Sequence, residues 1–324
     1  MIVYKTPYRL PLAGGGTDID FYYKKKGGLL ISATFNQYIY TFSSERPLDN
    51  KILVQTTESE FANSTKKVKH STIKKVLEYF KINNKIQIGT FSTLPTKSGL
   101  GTSSSQMVGL INNLSKHKNI NLSKKEIVNL AYHIERKLLK DDGGWQDQIA
   151  ACYGGIIKIK INKDGNYSVK EIKIKDKIKK KIQKNLVLVY TDETRFSSKI
   201  ITNQRKNLKK NDIVKTYDQL KKKVIFFENA LIKGDLKKIG EIFNSHWLIK
   251  KKLSNSISNN FLDKMYMNLM KSNKFYGGKI IGAGGGGFFL MVSKDVNQAI
   301  RYLKSKKMKF TKIKFEKNGS KLVD

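Results

Sequence analysis

Three glycine-rich stretches constrain this chain more than any other feature: AGGGTD at 13–18, SGLGTSSSQ at 98–106 and GAGGGGF at 282–288. Glycine loses backbone entropy on folding and gives a core nothing to pack, so such runs belong where the chain turns tightly or approaches another group closely. One run would be an ordinary turn or bulge. Three in one chain are hard to assign to turns alone. The middle stretch carries the clearest chemistry. Gly99 and Gly101 free the backbone to bend, and Met107, Leu110, Ile111 and Leu114 then fall at helical spacing. A helix starting there offers unpaired N–H groups and the positive end of its dipole, which suits a phosphate. The hydroxyls of Thr102, Ser103 and Ser105 add donors or a metal ligand. It is not a Walker loop, because Gly101 is followed by Thr102 with no lysine. The same residues also read as a serine-capped helix start, and this stretch alone leaves both readings open.

The 324 residues are enough for one large or two ordinary domains, and 39% hydrophobic content fits a globular chain. A single cysteine, Cys152, excludes an internal disulfide and suits a reducing compartment. No run nears the roughly 18 apolar residues of a membrane span, and the start lacks a signal-peptide core, so the expectation is a cytoplasmic protein with no membrane partner. Sixty-three Lys+Arg against 26 Asp+Glu give a net charge of +37. Such a field attracts nucleotides and sugar phosphates. The lysines alternate with apolar residues as on solvated helix faces, and neither zinc-finger spacing nor a basic region leading into leucine heptads occurs. No nucleic-acid partner is therefore expected.

The pattern along the chain is α+β, with two packed lobes and mixed sheets. Strands are expected at 29–43, at KILVQTT and KIQIGTFS, in a hairpin made of GIIKIKI and YSVKEIKI, and at 185–191. Between KILVQTT and KIQIGTFS, Ile73, Val76, Leu77 and Phe80 mark a helix. A helix over 123–139 opens on a capping box, Ser123 and Glu126, and a shorter one follows in WQDQIAACYGG. From Arg195 to about Ser272 the chain reads as helical, and strands return at GKIIGAG, GFFLMVS and KFTKIKFE. The change from strand-rich to helical text places a domain boundary near 184, giving domains 1–184 and 185–324.

Two acids stand out. Glu135 shares a helix side with Val128, Ala131, Leu138 and Leu139, and a carboxylate in an apolar stripe needs a partner. A hard cation such as Mg²⁺ is one; a lysine is the plainer alternative. Asp147, in GGWQDQ, suits proton abstraction or metal binding beside a phosphate site, and equally suits the dipole of a helix start.

Taken in order, the three glycine stretches resemble the three motifs of the GHMP small-molecule kinases, across essentially the whole chain. PTKSGLGTSSS is similar to the family signature Pro-x3-Gly-Leu-Gly-Ser-Ser-Ala, with Thr102 for the first serine and Ser104 for the alanine. The resemblance implies a domain like ribosomal protein S5 domain 2, then a ferredoxin-like lobe, with ATP between them. It implies ATP contacts from Gly99, Leu100, Gly101, Thr102, Ser103, Ser104 and Ser105, with Mg²⁺ on Ser103 and Glu135. Asp147 corresponds to the catalytic aspartate, and Arg9 to the basic residue of the first motif that neutralises charge near the transferred group.

YRLPLAGGGTD, GGWQDQIAACYGG and KIIGAGGGGFF closely resemble the sugar-kinase branch holding D-glycero-D-manno-heptose 7-phosphate kinases and the fucokinase half of bifunctional fucose-salvage enzymes, and NSHWLIKKKLS resembles the heptose-kinase side. The implied activity is ATP-dependent phosphorylation of a sugar phosphate at its anomeric hydroxyl, with a fucokinase- or galactokinase-type enzyme as the alternative. Asp18 is expected on the sugar hydroxyls, in one loop with Gly15, Gly16 and Thr17. A second anion site is expected from Gly284 and Gly285, whose N–H groups can form a nest, and from Arg195, Lys250, Lys251 and Lys279. His246 lies beside this group, and Trp247 is expected on the sugar ring. A homo-oligomer is compatible with this reading.

Overall fold

The computed structural model describes residues 1–95, 99–193, 197–206 and 212–323. β1 (Ile2–Ala13) and β2 (Gly28–Glu45) make a long antiparallel ribbon, joined through the first glycine stretch and the short helix α1 (Asp20–Lys26). Pro7 and Pro11 cannot donate to the ladder, and the ribbon shifts register at Pro7/Tyr8 and Pro11/Ala13. The sheet grows outward from β2. The hairpin of β3 (Ile52–Gln55) and β4 (Ser59–Ala62) joins through β5 (Ile86–Ser92), and the hairpin of β6 (Ile156–Ile161) and β7 (Tyr167–Glu171) pairs with the other half of β2.

Four helices pack against this sheet: α2 (Ser71–Tyr79), α3 (Thr102–His117), α4 (Lys124–His133) and α5 (Gln146–Tyr153). Met107, Leu110, Ile111 and Leu114 of α3 are fully buried, as their spacing requires. Each such side chain contributes about 1.5–3 kcal/mol relative to exposure. α4 opens on the capping box, with Ser123 and Glu126 bonded reciprocally. It does not run on as α-helix to 139: Ile134–Leu138 forms a π turn.

After α6 (Asp176–Asn185), a second, antiparallel sheet takes the order β11-β8-β10-β9. Its strands are β8 (Leu186–Tyr190), β9 (Phe275–Ile280), β10 (Phe288–Ser293) and β11 (Phe310–Lys312). α7 (Ser197–Lys206), α8 (Asp212–Lys233), α9 (Leu236–Lys251) and α10 (Asn260–Lys271) fill the stretch between β8 and β9, and α11 (Val296–Ser305) follows β10. The chain then returns to the first sheet, where β12 (Lys321–Leu322) pairs with β1. One core cluster pools residues of both halves: Tyr8, Leu10, Ile31 and Phe35 from the first sheet, Leu188 and Leu290 from the second, and Phe227 and Phe243 from α8 and α9. Among the described residues no helix is long and apolar enough to cross a membrane.

Candidate active site

The turn into α3 is built on left-handed glycines, Gly99 at φ 82° and Gly101 at φ 75°. It is fastened to β1: the Arg9 amide donates to the Leu100 carbonyl at 3.2 Å, and the Arg9 guanidinium donates to the Gly99 carbonyl. A Cβ on Gly101 would stand 3.1 Å from Arg9 Cγ and 3.3 Å from Asp147 Oδ2, so the site needs hydrogen there. Gly99, Gly101, Thr102, Ser103 and Ser104 line a cavity of about 350 Å³ that also receives Arg9, Asp18, Glu135 and Asp147. Two residues of the stretch turn elsewhere. Leu100 is fully buried in the shared core, and the Ser105 hydroxyl is spent on the Pro7 carbonyl at 3.1 Å, where it ties α3 to β1.

Glu135 sits in the π turn. A π turn inserts a residue into the helical register and is common at functional sites. Here Glu135 is 1% exposed while Leu138, expected on the same buried side, is 45% exposed. The carboxylate accepts from Ser103 Oγ at 3.2 Å, from Ser104 Oγ at 3.0 Å to both oxygens, and from Gln148 Nε2 at 2.5 Å. Burial pushes its pKa up, against the opposing pull of Arg136, Gln148 and Ser104. The Arg136 guanidinium stands 4.0 Å away. No group of three or more His, Cys, Asp or Glu is placed to hold a metal among the described residues. A buried carboxylate beside a hydroxyl at a helix start, short of charge compensation, fits an ion that takes hard oxygen ligands and fills its remaining positions with phosphate and water.

Facing this pair is a second one. Asp147, in the first turn of α5, receives Arg9 Nε at 2.7 Å on one oxygen and Nη2 at 2.7 Å on the other. That two-point grip fixes the plane of the carboxylate. Asp18 completes the acidic side. It is 5% exposed, accepts the amides of Gly16 at 3.1 Å and Gln146 at 3.0 Å, and has its pKa raised by burial first and by the nearby Asp147 charge as well. Gly15 and Gly16 line the cavity with it. Thr17 does not: it is fully buried, and its hydroxyl bonds to the Gly14 carbonyl at 2.7 Å and the Leu29 carbonyl at 3.0 Å.

The far wall is cationic. Lys250 and Lys279 line it together with His246. Lys250 donates to the Gly282 carbonyl, and Lys279 donates to the Leu12 carbonyl at 2.8 Å. Four expectations for this region need correction. Trp247 is fully buried in the core behind the second sheet, edge-on to Phe289 at 5.9 Å, and offers no face to a sugar. Lys251 pairs with Asp263 at 2.9 Å, outside the cavity. The third glycine stretch faces the cavity through Gly282 and Ala283 rather than Gly284 and Gly285. The Gly285 amide is taken by the Ile257 carbonyl at 2.7 Å, which removes it from any anion nest, and a Cβ on Gly284 would strike Ile257 at 2.7 Å. Arg195 lies outside the described residues.

Several residues of the site went unread in the sequence. Gln148, buried behind the cavity, reaches Glu135 from the first turn of α5, where a glutamine in a short helix gives no signal. Gln106 lines the cavity one turn into α3, and Arg136 follows Glu135 in the π turn. Asp142, next to the cavity in the DDGG segment, is held by Arg205 at 2.7 Å and Thr202 at 3.0 Å, which draws α7 over the site.

The pattern described as the GHMP kinases N terminal domain matches residues 66–155, and that described as GHMP kinases C terminal matches 227–309. A D-glycero-alpha-D-manno-heptose 7-phosphate kinase of Campylobacter jejuni is 32% identical over 98% of this chain and 97% of its own. A bifunctional fucokinase/GDP-fucose pyrophosphorylase of Arabidopsis thaliana is 30% identical over 69% of this chain, which spans only 21% of that larger protein. Among solved structures, a D-glycero-D-manno-heptose 1-phosphate kinase from Bacteroides thetaiotaomicron superposes with a TM-score of 0.83 at 25% identity, covering 100% of this chain and 99% of its own. The chain belongs to the GHMP kinases.

Proposed function

We propose that this protein is an ATP-dependent sugar kinase that phosphorylates D-glycero-D-manno-heptose 7-phosphate on its anomeric hydroxyl, giving the 1,7-bisphosphate for nucleotide-activated heptose and surface polysaccharide. The observation that carries the reading is the opposition of two pairs in one cavity: Ser103 with Glu135 at the start of α3, and Arg9 with Asp147 across from them. Full-length likeness to a heptose 7-phosphate kinase supports the choice of sugar.

The backbone at 99–104 would receive the nucleotide phosphates, with Ser103 and Glu135 holding Mg²⁺. Such an ion neutralises charge on the transferred group. Asp147 stands ready to take the proton of the attacking anomeric hydroxyl, and Arg9 keeps its plane fixed and adds positive charge. In a loose phosphoryl-transfer transition state this positioning and charge balance outweigh proton removal itself. Asp18 would accept hydrogen bonds from sugar hydroxyls through lone pairs not spent on Gly16 and Gln146. A cytoplasmic setting agrees with the one free, buried cysteine.

The test is a coupled ADP-release assay with heptose 7-phosphate, unphosphorylated heptose, fucose, galactose and mannose. The proposal expects the highest kcat/KM for heptose 7-phosphate. Equal or better turnover of fucose would replace the substrate with an unphosphorylated sugar, and no ADP release with any sugar would remove the activity.

A further inference from the structure

The cationic wall holds a residue for which the phosphoryl-transfer machinery has no use. His246 is 3% exposed and lines the cavity, and neither of its ring nitrogens has a hydrogen-bond partner. This holds whichever nitrogen carries the proton. Buried polar atoms are nearly always satisfied, so two orphans on one side chain that faces a cavity point to a ligand. The neighbours specify its charge. Lys279 is 2% exposed, and among the described residues the charges that act on it most are those of Lys250 and Arg9, while Lys279, Lys250 and Lys223 act on His246. The Lys279 ammonium also lies 5.0 Å from the centre of the Phe243 ring. Burying ammonium groups together costs a great deal unless an anion joins them.

We propose that His246, Lys250 and Lys279 form a phosphate-monoester subsite in which His246 donates the orienting hydrogen bond and makes the enzyme prefer a phosphorylated sugar. This rests on the sugar-kinase reading. The same chemistry could come from the transferred phosphoryl group of the nucleotide, and the experiment separates the two sources.

His246→Phe keeps ring size and removes both nitrogens; His246→Gln restores a donor. For each, kcat/KM is measured with heptose 7-phosphate and with unphosphorylated heptose. The expected result is a fall of tenfold or more in the ratio of the two for His246→Phe, carried by the KM of the phosphorylated sugar, with part of it recovered in His246→Gln. An equal loss on both sugars would move the anion to the nucleotide side and overturn the proposal, as would an unchanged ratio. Calorimetric titration with inorganic phosphate, without sugar or nucleotide, keeps the subsite testable if no sugar is turned over. Phosphate should bind the wild type and at least tenfold more weakly to His246→Phe and Lys279→Met, while Ser103→Ala retains it. Loss only in Ser103→Ala would put the ion in the nucleotide cradle and refute the subsite. Thermal melting checks folding: His246→Phe fills its position with apolar atoms and breaks no hydrogen bond, so Tm should stay equal or rise, since a polar group kept only for structure would lower it when removed.

Discussion

Glu135→Gln separates a metal ligand from a structural carboxylate, because the two roles predict opposite balances of stability and activity. The native carboxylate is 1% exposed and its nearest cation is 4.0 Å away. Removing the charge relieves a desolvation cost of several kcal/mol. Against that, bonds from Ser103, Ser104 and Gln148 cease to be charge-assisted, about 1 kcal/mol each. They need not be lost. The serine hydroxyls can rotate, and Gln148 Oε1, which has no partner, can turn to accept from the new amide. The sum lies within about 1 kcal/mol of zero, or about 4 °C in Tm at most. Loss of a carboxylate ligand should instead cost about 3 kcal/mol of transition-state stabilisation, roughly 10²-fold in turnover at fixed Mg²⁺. Thermal melting without ligands and ADP release across a Mg²⁺ titration read the two quantities. A Tm drop of about 10 °C would make Glu135 a structural keystone, and a Mg²⁺ titration superimposable on wild type would refute its role at the ion.

Asp147→Asn keeps one acceptor for Arg9 and loses the charge; kcat should fall by about 10³-fold while the thermal shift induced by ATP persists, and loss of that shift would mark Asp147 as structural. Gly101→Ala forces a left-handed backbone onto alanine, costing about 1–2 kcal/mol, and sets a methyl 3.1 Å from Arg9 Cγ. Activity should therefore drop far more than melting temperature, and parallel losses would show that the turn matters only for folding. Asp18→Ala should raise the sugar KM much more than the ATP KM and also lower Tm, since the Gln146 amide loses its acceptor; equal effects on both KM values would take Asp18 out of the sugar site.

The features legible in the sequence are those set by local chemistry. α3 announces itself by spacing, α4 by its capping box, and the β6–β7 hairpin by alternation around a turn. β1 does not, because Pro7 and Pro11 argue against a strand and only its irregular register accommodates them. The π turn is invisible to any argument that assumes 3.6 residues per turn, so Glu135 is found for a stripe that its own helix breaks. α9 is the clearest case. His246 with Lys250, and Trp247 with Lys251, form two i,i+4 pairs on adjacent faces. Periodicity identifies both pairs, but only packing decides which meets the cavity. The Trp247 pair went to the core and to Asp263, with Lys251 Nζ 5.6 Å from the indole centre.

The core shared by the two sheets governs how the enzyme can move. Tyr8, Phe35, Phe243 and Leu290 lie in one apolar cluster, so swinging the halves apart would wet a seam that folding had dried. The chain also crosses between the halves twice at nearly the same place. β8 begins where β11 ends, with Val187 opposite Lys312, and Gln183 Oε1 accepts the Phe315 amide across the two crossings at 3.2 Å. Two neighbouring tethers fastened to each other resist twisting. Large rotations between lobes are the ordinary expectation only where the interface is small and polar. Here the seam is apolar, whereas at the rim of the cavity the Asp142 carboxylate and the α7 residues Thr202 and Arg205 meet through polar contacts alone. Those contacts share no atom with the bonds that hold Arg9, Glu135 and Asp147, so loosening the rim would leave the reacting groups where they are.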